Sequence, residues 1–259
     1  MGRAYPRAIG ATREPSWVLF DVFLPLMAIA AYIYYYRALG ADPSFEGFVV
    51  LGGAMTAFWL NVLWGMASQF YWEKEVGNLQ LFLVSPMSRM ALLAGMALGG
   101  MFFAGVRALS TLILGIIVFN VHITVVDPAL LILIFLVTLV AIYGMGMMFA
   151  SLFMLYGRDA WNISNLMQEP IYLVSGFYFP VRSLGFWVST AAAVIPITFG
   201  LDAMRQELFG PVSNGLLPVT TELAVLCVLA VAFLLLARYS LRFMESLGRR
   251  EGRLTLRWQ

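Results

Sequence analysis

Ionisable side chains are scarce in this sequence of 259 residues, of which 12% are charged and 61% are hydrophobic. Soluble domains carry about 25% charged residues, so the composition is that of a chain embedded in lipid. The one cysteine, Cys227, excludes an internal disulfide, and the one histidine, His122, removes most histidine-based metal and triad chemistry. The formal charge of +2 is too small to suggest a nucleic-acid partner. We therefore expect an integral membrane protein that moves a substrate rather than reacting with it.

Long apolar runs fill most of the chain. A helix needs about 20 apolar residues to cross a hydrocarbon core of about 30 Å, and six stretches meet that requirement. They are residues 17–36, 47–69, 90–120, 128–156, 160–180 and 216–237. We expect the fifth to kink or restart at Glu169-Pro170, because proline removes a helical hydrogen bond. The predicted fold class is an all-α membrane protein with six transmembrane helices.

The distribution of arginine predicts the orientation of the chain. Three arginines precede the first run and six follow the last, so both termini are predicted to be cytoplasmic and the number of crossings to be even. Residues 183–201 carry no charge and would add a seventh crossing by hydropathy alone. We interpret them instead as a re-entrant helical hairpin that enters from the outer face. The chain then forms one transmembrane domain, with a cytoplasmic interfacial segment at 1–15 and a basic cytoplasmic tail at 238–259.

The segment after the second apolar run has the pattern of a short surface helix. It begins with charged residues and Gly77, continues with Leu79, Phe82 and Leu83 on one apolar stripe, and ends at a Ser-Pro pair. This pattern predicts an amphipathic helix over 71–85 along the cytoplasmic surface. It leaves open whether that helix only caps a pair of spans or docks onto a partner.

Motifs in two parts of the chain resemble those of a known family. Glu-Lys-Glu-Val-Gly-Asn-Leu at 73–79 and Ser-Pro-Met-Ser-Arg at 85–89 are similar to the acidic-x-Gly-Thr-Leu and Ser-Pro-x-Ser-Arg signature of the permease subunits of type-2 ATP-binding-cassette exporters. Ser-Gly-Phe-Tyr-Phe-Pro at 175–180 and the stretch 195–205 resemble the outer-loop motifs of that family. Asparagine replaces the more usual threonine in the first motif, and isoleucine replaces the more usual asparagine at the start of the last.

The resemblance implies a pore of two permease subunits, identical or different, whose cytoplasmic helices dock on two separate ATPase subunits. The residues that match the coupling region of the family, together with two aromatic candidates for packing anchors, are Tyr71, Trp72, Glu73, Lys74, Glu75 and Gly77. ATP and Mg²⁺ would be bound by the partner chain. This chain is expected to hold no cofactor and no metal.

The chain carries no ATPase motif of its own. A P-loop needs Gly-x-x-x-x-Gly-Lys-Ser/Thr, in which the lysine reaches the phosphates. The only lysine, Lys74, stands between two glutamates. We therefore expect a transport subunit of the cell inner (plasma) membrane, surrounded by membrane lipids, that exports an amphiphilic, drug, lipid or glycan substrate.

Two ionisable residues fall inside predicted spans. An ionisable group at mid-bilayer costs at least about 2.5 to 3.5 kcal/mol on insertion scales, so each one needs a partner or a wet cavity. The functional interpretation of Arg107 is contact with an anionic head group. The structural one, which we favour, is a link to an acid such as Glu169, or snorkelling towards an interface. An alternative function from another class is a secondary carrier or channel that uses Arg107 and Glu169 directly.

Aromatic side chains cluster near the predicted outer ends of the spans, at 32–36 and at 172–179. Rings at water–lipid boundaries usually form belts, and that is the simpler interpretation here. The alternative is a translocation path lined by rings. The candidate residues for such a path or its gate are Tyr35, Tyr172, Phe177, Tyr178, Phe179, Pro180 and Arg205.

Overall fold

The computed structural model describes residues 15–68, 73, 76–77, 88–210 and 215–250, and every regular element in them is helical. The α-helices are α1 (Pro15–Ala38), α2 (Ser44–Leu60), α3 (Arg89–Phe119), α4 (Pro128–Val174), α5 (Phe186–Ala192), α6 (Pro196–Phe209) and α7 (Val219–Arg250). A π-helical stretch, Asn61–Ala67, continues α2, and a 3₁₀ turn, Val181–Leu184, precedes α5.

Four of the described helical segments are long and apolar enough to cross a membrane. They are Ser44–Ala67, Arg89–Phe119, Pro128–Phe153 and Val219–Gly248, and a shorter apolar helix covers Val22–Ala38. In the most apolar 18-residue stretch of the first segment 83% of the residues are buried inside the protein, so it forms the centre of the bundle. The expectation of a helical membrane protein is confirmed, whereas the count of six crossings stays a prediction.

Helix α4 differs from the sequence-based expectation. Its 47 residues include 157–159, for which a loop was predicted, and it continues through Pro170 without restarting. The predicted loop and the predicted restart were wrong, whereas a kink at Pro170 stays a prediction. Charged residues alone do not end a helix, and neighbouring groups in a membrane bundle can satisfy the backbone that a proline frees.

Two hydrogen bonds show that α4 does not run straight. The Tyr143 hydroxyl donates to Asn61 Oδ1 over 2.8 Å, and Trp64 Nε1 donates to Gln168 Oε1 over 2.7 Å. A straight helix would separate positions 143 and 168 by about 37 Å. Their partners lie within one turn of each other on the central span. Helix α4 therefore bends, and both of its arms flank the same part of that span.

Helices α5 and α6 form a sharply bent pair where the hairpin was predicted. Their axes differ by 105°, which fits either a broken span or a re-entrant loop, so the re-entrant interpretation stays a prediction. Pro196 begins α6, and the Thr198 hydroxyl donates to the Ala192 carbonyl at the end of α5 over 2.8 Å. Helix α6 continues to Phe209, beyond the predicted end of the hairpin at 201.

The end of α6 is held by the loop that precedes α4. The backbone N–H groups of Thr124 and Val126 donate to the carbonyls of Leu208 and Glu207, over 3.0 and 2.9 Å. The Glu207 carboxylate accepts the backbone N–H of Asp127 over 3.1 Å. These bonds fix the depth and direction of α6 within the bundle.

Within the predicted surface helix at 71–85, the structure describes only residues 73, 76 and 77. Glu73 is helical, whereas Val76 and Gly77 form a turn with Gly77 at φ +85°. This conformation favours glycine, because a side chain at positive φ is strained. No helix continues through these two residues, and the coupling helix itself stays a prediction. Tyr71, Trp72, Lys74 and Glu75 lie outside the described residues. So do most of the predicted interfacial segment at 1–15 and the end of the tail, while 238–250 continue α7.

Candidate functional site

Arg205 on α6 joins three parts of the chain. It is only 1% exposed. Its Nη1 donates to the Gly176 carbonyl over 2.6 Å, and its Nη2 donates to the carbonyls of Phe177 and Phe48 over 2.9 and 3.0 Å. The guanidinium also lies 3.8 Å from the centroid of the Phe48 ring, in cation–π geometry. We call Arg205 and the three carbonyls of Phe48, Gly176 and Phe177 the Arg205 junction.

The sequence around the junction explains why it forms. Helix α4 ends at Val174, and the buried carbonyls of Gly176 and Phe177 beyond it need hydrogen-bond donors from elsewhere in the chain. Gly176 turns the chain there at φ +72°, and an added Cβ would lie 2.4 Å from Val181 Cγ2. The Ser-Gly-aromatic motif at 175–180 is thus a turn that presents its carbonyls to Arg205.

Gly52 on α2 allows the closest backbone approach at the junction. A Cβ on this residue would lie 1.5 Å from the Phe177 carbonyl oxygen and 3.1 Å from Arg205 Nη2. Only a glycine therefore permits the turn after α4 to lie against α2. The 175–180 turn, α2 and α6 meet at this point and are expected to move together.

Aromatic rings pack around the turn. Tyr178 stacks on Tyr32 of α1, with ring centroids 4.3 Å apart, and its carbonyl accepts the Tyr36 hydroxyl over 3.1 Å. Tyr172 meets the Phe177 ring edge to face at 5.0 Å. We call these five residues the aromatic cluster. They join α1 to the returning arm of α4.

The structure brings only some of the predicted path residues together. Tyr172, Phe177, Tyr178 and Arg205 are neighbours, and Phe177 and Arg205 are buried, so their role in a path or gate stays a prediction. Tyr35 is 61% exposed. Phe179 and Pro180 are half-buried in the turn, where the Pro180 carbonyl accepts the Ser183 hydroxyl.

The two predicted intramembrane charges lie near the aromatic cluster. Arg107 is partly buried on α3, and Glu169 on α4 is exposed, where its Oε1 accepts Gln168 Nε2 over 3.2 Å. Both are close enough to the Tyr172 hydroxyl to act on it electrostatically. The expected link between the two charges stays a prediction.

A buried polar network holds the start of α7 against α6. Asp202 Oδ2 accepts the Leu216 N–H over 2.6 Å, and Glu222 Oε1 accepts the Leu217 N–H over 3.1 Å. Gln206 Nε2 lies between the two carboxyl groups and donates to both, over 3.4 and 3.1 Å. Asp202 is 4% exposed and Glu222 is fully buried. The network fixes the chain between the bent helix pair and the last span.

Replacing Asp202 tests this network. Asp202→Asn keeps an oxygen that accepts the Leu216 N–H, whereas Asp202→Leu leaves that buried donor without its acceptor. We expect Asp202→Leu to lower the free energy of unfolding by about 1–3 kcal/mol, and Asp202→Asn to lower it less. Thermal unfolding of the two purified variants measures the difference. Equal stability of the two would contradict a hydrogen-bonding role.

The π-helical end of the central span is also tied to its neighbours. Asn61 accepts the Tyr143 hydroxyl and lies against Gly100 of α3, where a Cβ would come within 2.4 Å of Asn61 Oδ1. Three residues later Trp64 bonds to Gln168. π-Helical turns are rare and frequently occur at functional sites. This one ends at Ala67, directly before the predicted coupling segment.

The far end of the same segment is fixed to α7. Ser88 caps α3, since its Oγ accepts the Ala91 N–H over 3.4 Å, and Arg89 forms an ion pair with Glu245. The Ser-Pro-x-Ser-Arg motif therefore ends in a helix cap and a cross-link to the last helix.

Sequence reasoning missed several of these residues. Asn61 was detectable as an amide residue in the middle of a long apolar run, and Gly52 as part of a Gly-Gly pair. The network of Asp202, Gln206 and Glu222 was also missed, because its bonds join α6 to α7 and to the backbone of Leu216 and Leu217.

Comparison with known families matches residues 8–209 to a single model, described as ABC-2 type transporter. The match covers most of the chain, including α1 to α6. No curated protein was found to match.

Proposed function

This chain belongs to the ABC-2 type transporter family, and we propose that it is the permease half of an exporter driven by a separate ATPase. Members of the family are membrane permease subunits of ABC transporters, and the resemblance seen in the sequence is thereby confirmed. The family match over 8–209 is the observation that carries the proposal. The hydrogen bonds and the ion pair described above suggest how movement would pass from the ATPase to the membrane helices.

Force from the ATPase would enter at residues 71–85. This segment joins the π-helical end of the central span to the cap of α3. The helix that precedes the segment is bonded to α4 through the Asn61–Tyr143 and Trp64–Gln168 hydrogen bonds. The helix that follows it is bonded to α7 through the Arg89–Glu245 ion pair. A displacement of the segment would therefore be passed to α4 and to α7 at once.

The Arg205 junction would receive that movement at the opposite end of the central span. There α2, the 175–180 turn and α6 share one guanidinium, so tilting α2 would shift the bent pair α5–α6. We propose that this pair is a re-entrant gate on the outer face. The aromatic cluster would then lie beside the path and guide an amphiphilic, drug, lipid or glycan substrate.

The complete exporter would contain two permease subunits and two ATPase subunits, with ATP and Mg²⁺ on the latter. We propose six crossings per permease, with both termini in the cytoplasm and the complex in the inner (plasma) membrane. The contacts along the central span support the fifth crossing, because the returning arm of α4 runs from Trp64 towards Gly52.

Reversing the charges of the coupling segment tests the proposal. We expect the double variant Glu73→Lys/Glu75→Lys to lose at least about tenfold in affinity for the ATPase, because truncating or reversing buried interfacial charges costs several kcal/mol. Co-purification and ATP-dependent transport in vesicles measure the effect. Asp42→Lys, in the exposed loop after α1, is the matched control and should bind the ATPase normally.

Two results would contradict the proposal. One is unchanged ATPase binding by the Glu73→Lys/Glu75→Lys variant. The other is transport by the purified chain on a proton gradient alone, which would favour a secondary carrier that uses Arg107 and Glu169.

A further inference from the structure

An apolar cavity of about 390 Å³ lies between α2, α3, α4 and α6. Every residue that lines it is apolar, including Phe58 of the central span, Ala108 of α3 and Met204 of α6. None of the residues of the Arg205 junction or of the aromatic cluster lines it.

The lining restricts what can occupy the cavity. Sites for polar small molecules carry a few placed hydrogen-bonding groups that orient the ligand, and this lining offers none. Apolar cavities exclude water, and one of only about 150 Å³ already binds benzene. An empty cavity of this size would also leave its walls without dispersion partners. The lining therefore fits a hydrocarbon occupant.

The position of the opening identifies the source of that hydrocarbon. Leu109 of α3 and Ile132 of α4 line the cavity and are 57% and 58% exposed on the protein surface. Both belong to helices that are long and apolar enough to span the membrane. The opening between them therefore faces the bilayer core, where lipid tails are the solvent.

We propose that this cavity binds the acyl chain of a membrane lipid, inserted between α3 and α4 until it contacts α2 and α6. The chain would complete the packing of α6 against the spans. The proposal rests on membrane insertion alone and is independent of the cargo and of the ATPase.

A photoreactive lipid tests the site directly. The protein is reconstituted in phosphatidylcholine vesicles that contain a phosphatidylcholine with a diazirine on its acyl chain, then irradiated and digested for mass spectrometry. We expect labelling at Leu109 and Ile132 to exceed labelling at Leu98 and Phe102 by at least fivefold. The latter two are exposed on α3 but lie outside the cavity.

Filling the cavity should remove the excess label. Ala108→Phe places a ring in the cavity, and Ala94→Phe makes the same change on an exposed part of α3 as the matched control. We expect the first to reduce cavity labelling at least fivefold and the second to leave it unchanged. Gly105→Leu is a second filling variant, since a Cβ there has only Phe58 nearby, at 3.9 Å.

The competing outcomes are distinct. Equal labelling of the cavity and of Leu98 and Phe102, or cavity labelling unchanged by either filling variant, would overturn the proposal. Labelling of Leu109 and Ile132 below that of Leu98 and Phe102, as expected if a second copy of the chain covers the opening, would also overturn it. Should neither filling variant fold, mass spectrometry of the intact wild-type protein decides: a retained phospholipid supports the site, and its complete loss in mild detergent refutes it.

Discussion

Replacing Arg205 by alanine is expected to prevent assembly of a stable protein. The change leaves three buried carbonyls without their donor, and each such group costs about 1–3 kcal/mol. It also removes the cation–π contact with Phe48. The loss is comparable with the whole free energy of unfolding of many proteins. Yield of monodisperse protein in detergent and the thermal unfolding midpoint measure it.

Two further variants make the Arg205 test specific. Arg205→Lys keeps the charge but replaces the planar fork by a point charge, so we expect an intermediate loss. Arg182→Ala removes an exposed arginine from the 3₁₀ turn and should change stability by less than about 0.5 kcal/mol. Wild-type stability of Arg205→Ala would show that the junction does not hold the three segments together.

The second large effect is expected for Gly52→Ala. The new methyl group would overlap the Phe177 carbonyl oxygen at 1.5 Å, and that atom is backbone that cannot rotate away. Overpacking usually costs about 1–3 kcal/mol, and we expect more here because two elements must separate. The same measurements apply as for Arg205→Ala.

Gly95→Ala is the matched control for this substitution. It makes the identical change in the interior of α3, where nothing lies within 4 Å of the added Cβ. Alanine is the better helix former by about 1 kcal/mol, so this control should be neutral or slightly stabilising. If Gly52→Ala behaved like Gly95→Ala, the close contact between α2 and the 175–180 turn would be wrong.

Several structural features account for motif residues that the sequence alone left without a role. The glycine of the Ser-Gly-aromatic motif, Gly176, has a positive φ and turns the chain. The arginine at the end of the second motif, Arg205, donates hydrogen bonds to the carbonyls of that turn. Isoleucine stands at the N-cap of α6, without a side-chain cap. The Pro196 start and the Thr198 hydroxyl define the end of α5 and the start of α6 instead.

Composition and the lengths of the apolar runs were sufficient to predict the class of protein. Apolar runs of the length of a bilayer, together with scarce charge, determined a helical membrane protein, because a spanning backbone must satisfy its hydrogen bonds within each segment. The order of the motifs was sufficient for the family. These properties depend on local sequence and on solvent, so no tertiary contact was needed to infer them.

Tertiary structure decided everything that depends on which segments meet. The bend of α4 and the hydrogen bonds of Arg205 to carbonyls of α2 and of the 175–180 turn join residues far apart in the chain. The Asp202–Gln206–Glu222 network joins α6 to the start of α7. The hydropathy pattern predicted two apolar runs joined by a loop at 157–159, whereas α4 is one helix through these residues. The sequence by itself determined that the chain enters lipid as helices, and only packing decided which polar groups those helices share, because a buried hydrogen bond requires both partners in place.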